Sequence, residues 1–410
     1  MKTAAFIVAV VAAAAAATAH AQVRYTLTDM GSLGNFSSLA NGISSDGRVV
    51  GEANQLPSGY DKAVRFAAGV NPVVLTGEGA SGAAAHAVNS SGVVVGFTDS
   101  LNLNGFAMDA TGVHDLGTVS GGFSSAGCDI NDDGLIVGFV QSGGGFQHAV
   151  TWRKQGSQYV MTPLPELGGF SSVARGVSRN GLIVGECDLP SNFGKPCLWT
   201  DGGTVVHDLQ IETSSFGEAL GVNDAQEVVG YSYTTTGTVA FYWSQASGEL
   251  NLGGLGNAHS IARSINNRGE VVGQSYIAGT SAVQHAFVWR RGDAVMTDLN
   301  TLVVNRTGWI LWDAEDINDQ GQIVGGGVLN GQPHAFLLTP VACPADLGGP
   351  GGTAAGDGHL DNNDFIAFIN LFFQQNAAAD LGAAGGVAGS DGRFDNNDFI
   401  AFISRFFAGC

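Results

Sequence analysis

Basic residues are scarce. Seventeen Lys and Arg stand against thirty-six Asp and Glu, a formal charge of −19 in 410 residues. Phosphate backbones and anionic lipid surfaces are gripped by clustered cations, so this balance argues against both as partners. Charged residues of either sign make up only 13 %, while apolar ones reach 44 %, too many for a disordered chain. No segment reaches 18 uninterrupted apolar residues, so no transmembrane helix is expected. Apolar spacing of three to four residues, the mark of helical repeats, is not sustained in the central part. Neither a Gly-x-Ser-x-Gly elbow nor a His-Glu-x-x-His metal motif occurs. What is plentiful is glycine, 62 positions, and the composition reads as a turn-rich, all-β protein.

The N-terminus reads as an address. Lys2 precedes an apolar stretch from Ala4 to Thr18, and Ala19-His20-Ala21 offers small residues where a signal peptidase cuts. That order marks residues 1–21 as a secretory signal, since a stretch of about 14 apolar residues is too short to span a bilayer. A secreted, extracellular or cell-surface location follows.

Self-comparison reveals seven copies of one phrase: apolar, Asn or Ser, two turn residues, Gly, any, Ile/Val, Val, Gly. It runs Ile43 to Gly51, Val88 to Gly96, Ile130 to Gly138, Val177 to Gly185, Val222 to Gly230, Ile265 to Gly273 and Ile317 to Gly325. Gln226 replaces the turn glycine in the fifth copy. The closing glycines lie 45, 42, 47, 45, 43 and 52 residues apart, a period that fits four-stranded propeller blades. Each unit divides into four short β segments joined by Asn- and Gly-bearing turns, the grammar of antiparallel hairpins.

The ends of the array are complementary. The seventh unit stops after its third strand at Pro333–Leu338. Tyr25–Met30, followed by Gly-Ser-Leu-Gly34, matches the fourth-strand phrases at Val113–Leu116 and Val295–Leu299. This predicts a seven-bladed β-propeller over residues 22–340, closed by the N-terminal strand so that no sheet edge is left open. An open β solenoid is the alternative. The His-Ala-Phe phrase at 285–287 and 334–336, with His-Ala-Val at 148–150, resembles the HAF-type extracellular repeat family. The resemblance implies an extracellular repeat protein and brings no catalytic residues.

From Cys343 the vocabulary changes. Residues 343–410 hold nine of the 23 Phe, eight Asp, two Arg and no Glu. Asp357–Ile369 and Asp391–Ile403 are duplicates offset by 34, and Asp346 and Asp380 share that offset. Each half reads Asp, a gap, Asp-Gly-x-apolar-Asp-x-x-Asp, then an apolar helix. Calcium loops need hard oxygen ligands around a sharp Gly turn, closed by a carboxylate on the incoming helix. The pattern nominates Asp357 and Asp391 as ligands, His359 and Arg393 through their carbonyls, Asp361 and Asp395 directly or through water, and Asp364 and Asp398 as closing groups. Two helices with acidic caps are the plainer alternative.

The segment resembles a GC-type dockerin, ending here in Gly409-Cys410. It departs from the usual loop by Gly/Ala-rich insertions, and Gly348 and Gly382 stand where Asn is expected after Asp346 and Asp380. This departure predicts weakened calcium affinity. The resemblance implies docking to a cohesin-like or equivalent surface receptor through Asn362-Asn363 and Asn396-Asn397, identical pairs that permit either orientation.

Several other signals belong to the repeat. Asp129–Gly134 mimics the start of a calcium loop but lacks its closing carboxylate, and Gly77–Gly82 fits a dinucleotide fingerprint with no helix following. His148, His285 and His334, like Trp152, Trp199, Trp243 and Trp289, recur at fixed repeat positions and read as blade packing. Trp309 and Trp312 fall in the longest interval, near the variable-loop face, and either fill an enlarged blade interface or stack on a sugar or a protein. Five cysteines in a secreted chain suggest the pairs Cys187–Cys197 and Cys343–Cys410, with Cys128 left over.

Taken together, the sequence describes a secreted, non-catalytic propeller displaying a recognition surface toward polysaccharide or protein, followed by a calcium-dependent docking module. A dockerin-anchored polysaccharide hydrolase or lyase is the competing class, and a structural envelope component is a third.

Overall fold

The computed structural model describes residues 23–34, 37–55, 59–75, 82–98, 104–191, 193–211, 216–235, 237–279, 283–341, 343–348, 362–383 and 387–408. Residues 1–21, expected to be a signal segment, and Asp357, His359, Asp361 and Cys410 lie outside them. The chain divides into two compact units, Leu27–Thr339 and Pro340–Cys410, the latter grouped with the residues before Leu27.

Among the described residues, seven four-stranded antiparallel sheets form the first unit. The innermost strands of blades 1 to 7 are Ser38–Ile43, Ala83–Val88, Ser124–Ile130, Ser172–Val177, Gly217–Val222, Gly256–Ile265 and Trp309–Ile317. Blades 1 to 6 are meanders in chain order. The seventh takes its outer strand, Tyr25–Asp29, from the N-terminus, next to Gln332–Pro340. The expected circular closure is present. At the seam Ala335 N donates to Ser38 Oγ at 2.9 Å, and Ile43 N donates to Asp316 Oδ2 at 2.9 Å. Asp29 accepts from Gly31 N at 2.9 Å, as Asp115 does from Gly117 N at 2.7 Å. The N-terminal strand therefore ends in the same side-chain-stapled turn as an ordinary fourth strand.

The repeated phrase has a physical reason at each position. Every innermost strand carries a β-bulge three to one residues before its terminal Ile or Val. The bulge pushes a strand carbonyl toward the closing glycine of the second strand. A Cβ on Gly51, Gly96, Gly138, Gly185, Gly230, Gly273 or Gly325 would lie under 3.0 Å from that oxygen. The turn Asn braces its own hairpin and reaches the next blade. Asn131 Oδ1 accepts from Leu135 N at 3.0 Å, while its Nδ2 donates to Ser178 O at 3.1 Å. Asn89, Asn223, Asn266 and Asn318 repeat this reach, the last closing onto Ser44 O at 3.1 Å. Gln226 replaces the turn glycine at φ +60°, a left-handed conformation that costs a non-glycine residue.

The apolar core lies between blades. Leu135, Val137 and Ala149 of blade 3 meet Ala174, Ile183 and Trp199 of blade 4, and the same layering recurs around the ring. Trp152, Trp199 and Trp289 are buried as expected, and Trp152 Nε1 donates to Leu116 O of the preceding blade at 2.9 Å.

The second unit holds two helices, α1 (Asn362–Phe373) and α2 (Asn396–Ala408). The 34-residue duplication becomes a packed pair. Phe368 and Phe402 stack with centroids 4.1 Å apart, and Ala345, Ala379, Ala367 and Ala401 complete the core. Among the described residues no helix is long and apolar enough to cross a membrane.

Candidate functional site

The bulge that explains the closing glycine also builds the centre of the propeller. The extra residue it inserts lies at Asn41, His86, Cys128, Arg175, Leu220, Arg263 and Glu315 in the seven blades. A bulge re-aims its side chain, and five of these seven residues, two of them Arg, are polar or charged. All seven line a central cavity of about 260 Å³ together with Asp129, Ser264 and Asp316. Sequence comparison passes over them because they differ from copy to copy. The signal was the contrast between this variable position and the small residues on either side of it.

Charge in the cavity is arranged between blades. Arg175 pairs with Glu218 of the next blade, whose Oε2 accepts from Tyr231 Oη at 3.0 Å. Arg263 forks onto Asp313, with Nη2 2.7 Å from Oδ2, and its Nε lies 3.2 Å from Glu315. These carboxylates outnumber the two guanidiniums. Burial, then repulsion from Asp313, pushes Glu315 up to about 8. Glu186 rises to about 7 through burial and the nearby Glu218 and Asp188, and Glu52 to about 7 through burial and Asp61. Burial also lifts Asp129 to about 7. Its carboxylate is spent on the amides of Ile130 and Val177, at 2.7 and 2.8 Å, so it serves the blade junction.

At one end of the cavity the first-to-second-strand turns bond to one another across the ring. Arg179 Nη2 lies 2.5 Å from Asp319, Asn267 Nδ2 donates to Asp224 and Asp319 at 3.1 and 3.0 Å, and Ser45 Oγ donates to Asp132 at 2.8 Å. The variable second-to-third-strand loops and the inter-blade loops carry exposed aromatics instead: Tyr60, Phe123, Phe146, Phe170, Phe193 and Tyr233. Phe146 and Phe170 stack at 5.2 Å.

Of the two readings open for the tryptophans, the structure fits filling of the blade. Trp309 is only 6 % exposed and Trp312 is half-buried. Both rings occupy the space over Gly326 and Gly327, where any Cβ would collide with them. They fill the enlarged seventh blade, so Trp309 offers no open face for a sugar. The expected Cys187–Cys197 disulfide is not formed in this structure: both are buried free thiols with sulfurs 2.7 Å apart, and Cys128 is also free. Cys343 is disulfide-bonded.

In the C-terminal unit the helix-opening carboxylates face inward. Asp398 is fully buried, its Oδ1 accepting from Leu381 N and Gly382 N at 2.7 and 2.9 Å and its Oδ2 from Asp395 N at 2.9 Å. Asp364 accepts likewise from Leu347 N and Gly348 N at 2.7 and 2.8 Å. Gly348 and Gly382 are glycine because their Cα atoms press on the helix start, against Asn363 O and Asn397 O. Asp380 accepts from Asp391 N, Gly392 N and Ser390 Oγ. Asp395 Oδ1 accepts from Asn397 N, and Asp391 Oδ1 from Arg393 N. Asp346 turns onto Cys343 O through its own amide. The donor chemistry suits a hard cation, and the bonds to Asp398 and Asp380 close the second loop. Among the described residues no three acidic, His or Cys side chains gather as a metal-holding group. Asn362 and Asn396 are exposed, and Asn363 and Asn397 half-buried, at the helix starts. Four apolar side chains are left outside: Ile366 and Phe373 on α1, and their duplicates Ile400 and Phe407 on α2, each at least half exposed.

No protein family and no curated protein matches this chain. Its fold is similar to solved propellers at low identity. The β-propeller domain of the Trilobed protease from Pyrococcus furiosus is 11 % identical, with a TM-score of 0.43 over 77 % of this chain and 95 % of that one. YCF48 bound to D1 peptide is 13 % identical, with a TM-score of 0.45 over 78 % and 96 %. TolB from Acinetobacter baumannii is 11 % identical, with a TM-score of 0.36 over 58 % and 59 %. Similarity at this level carries no functional argument, and the seven-bladed architecture rests on the sheets described above.

Proposed function

We propose that the protein is a secreted, non-catalytic binding protein whose propeller presents a recognition surface and whose C-terminal module docks it to a cell-surface or scaffold receptor of the cohesin type. The observation that carries docking is the paired apolar surface of Ile366, Phe373, Ile400 and Phe407. The module's aromatic core is complete without them, and exposed apolar side chains repeated by a duplication are costly unless something covers them. They flank the Asn362-Asn363 and Asn396-Asn397 pairs that the dockerin resemblance nominates. A duplicated surface suits a receptor that accepts either orientation.

Calcium would be held by Asp380, Asp391, Asp395 and Asp398 with the Arg393 carbonyl, and by Asp346, Asp357, Asp361 and Asp364 with the His359 carbonyl in the first half. The ion must compete with the amides that now occupy Asp398 and Asp380, which agrees with weak binding. The test is retention of the purified full chain on the cells that secrete it, in calcium and in chelator. Retention in calcium alone supports the reading. Replacing Asn362 and Asn363 by Ala should leave most of it. Equal retention in chelator overturns the calcium dependence, and no retention in calcium overturns docking.

A further inference from the structure

The cavity at the centre of the propeller has hydrogen-bonding capacity in its wall that the protein itself does not use. Arg175 gives its Nε to Glu218. Among the described residues its two Nη groups meet no oxygen, only the Cys128 thiol beside them. Arg263 spends Nε and Nη2 on Asp313, at 3.0 and 2.7 Å, and its Nη1 is left over. Both arginines keep open surface, 36 % and 28 % of their side chains. His86 turns Nδ1 to Gly127 O at 2.9 Å, so that nitrogen donates. Burial holds the ring neutral, which leaves Nε2 as an acceptor. Asn41 donates from Nδ2 to Ala85 O at 3.0 Å and keeps its Oδ1.

The charges, in contrast, are settled within the protein. Each guanidinium has a carboxylate of its own, Glu218 or Asp313. Glu315 holds its proton at neutral pH. Asp316 accepts from Ile43 N, Ile317 N and Ser264 Oγ at 2.7 to 2.9 Å, and Asp129 is likewise spent on amides. An anion here would meet the carboxylates behind the guanidiniums, and a cation would meet the guanidiniums themselves. A neutral ligand escapes both. Its polar groups must donate and accept, because guanidinium edges share the wall with an imidazole and an amide oxygen. A hydroxyl does both from one atom. Leu220, Val222 and Ile265 add an apolar stretch of wall. The volume, about 260 Å³, exceeds the roughly 150 Å³ that admits a benzene ring, and so takes one six-membered ring with its hydroxyls.

We propose that the central cavity binds one neutral pyranose sugar, its hydroxyls bridging the unused guanidinium edges of Arg175 and Arg263 to the acceptors on His86 and Asn41. The inference rests on the propeller being a recognition element and names the ligand class and the place. It is independent of docking by the C-terminal module. No covalent step is involved.

The experiment is calorimetric titration of the full chain with glucose, galactose and mannose, each alongside its uronate and its 2-amino counterpart. At least one neutral hexose should bind with a millimolar Kd, and more tightly than either charged counterpart. Leu220→Trp fills the cavity while leaving both ion pairs in place, and should abolish binding with the thermal transition retained. Arg175→Lys keeps a charge beside Glu218 but loses the guanidinium edge, and should weaken binding about tenfold, the scale of one charge-assisted hydrogen bond. Should Leu220→Trp not fold, Arg175→Lys decides. Binding of none of the three hexoses overturns the proposal, as does a charged counterpart that binds more tightly. Unchanged affinity in a folded Leu220→Trp or in Arg175→Lys overturns the cavity as the site while leaving sugar recognition by the propeller standing. None of these outcomes bears on retention at the cell surface, so docking fails separately.

Discussion

Replacing Gly138 by Ala tests why the repeat ends in glycine. The added methyl would lie under 3.0 Å from the carbonyl oxygen of Ala126 and close to the Cys128 amide, with no flexible side chain to yield. Relief requires the bulge at Gly127–Asp129 to open, and with it the path of the inner strand of blade 3. Overpacking against movable neighbours costs about 1–3 kcal/mol, and rigid backbone places this site at the upper end. Ala also restricts the unfolded chain, which offsets about 0.4–1 kcal/mol. The net loss is about 2–3 kcal/mol, a fall of roughly 4–12 °C in Tm at about 2–4 °C per kcal/mol for a domain of this size class. Gly134 provides the control. It lies in the turn at φ +73° with nothing within 4 Å of its Cβ position, so Gly134→Asn should cost less than about 1 kcal/mol. Differential scanning calorimetry of both variants decides the matter. Equal Tm values for Gly138→Ala and the parent would refute the steric account of the repeat.

Three further outcomes follow from the same geometry. Gln226→Gly relieves a left-handed non-glycine residue and should raise stability by up to about 1 kcal/mol in denaturant titration; destabilisation would contradict the turn assignment. Glu52, Glu186, Asp129 and Glu315 have folded pKa values raised to about 7 or 8, so the folded propeller binds more protons than the unfolded chain between pH 5 and 8. Stability should therefore fall as pH rises across that window, and Glu315→Gln should flatten the slope; a rising Tm would contradict it. Oxidation should join Cys187 to Cys197, since the sulfurs need close only from 2.7 Å to a bond length of about 2.05 Å. Peptide mapping of the protein purified under oxidising conditions should recover that crosslink, and two free thiols there would contradict the pairing.

The ring was legible in the sequence because its seam was. A fourth-strand phrase stood alone at Tyr25–Met30 and was missing after Leu338, and only closure reconciles the two. The turn asparagines were visible as a motif, but their reach into the neighbouring blade was not, because it crosses 42 to 52 residues of sequence. The channel was opaque for the opposite reason. Cys128, Arg175 and Glu315 share one structural position yet have no chemistry in common, so self-comparison treats them as noise. For Trp309 and Trp312 loop position left two readings open, filling of the blade or stacking on a ligand, and burial decides only Trp309. The run Gly325-Gly326-Gly327 was in view and marks the space those rings fill. In the C-terminal unit the duplication was plain, whereas the inward turn of Asp364 and Asp398 depends on where the Gly348 and Gly382 backbones land.

Docking is the central claim, and Phe373 with Phe407 tests it most directly. Both rings are more than half exposed at equivalent positions and touch the core only edge-on, at Phe372 and Phe406, so their replacement by Ser spares the stacked Phe368–Phe402 centre. The measurement is quantitative retention of the full chain on the surface of the cells that produce it, for Phe373→Ser, Phe407→Ser and the double variant, with circular dichroism to confirm folding. The account predicts that either single variant is retained and the double variant is lost. Full retention of a folded double variant would contradict docking through this surface.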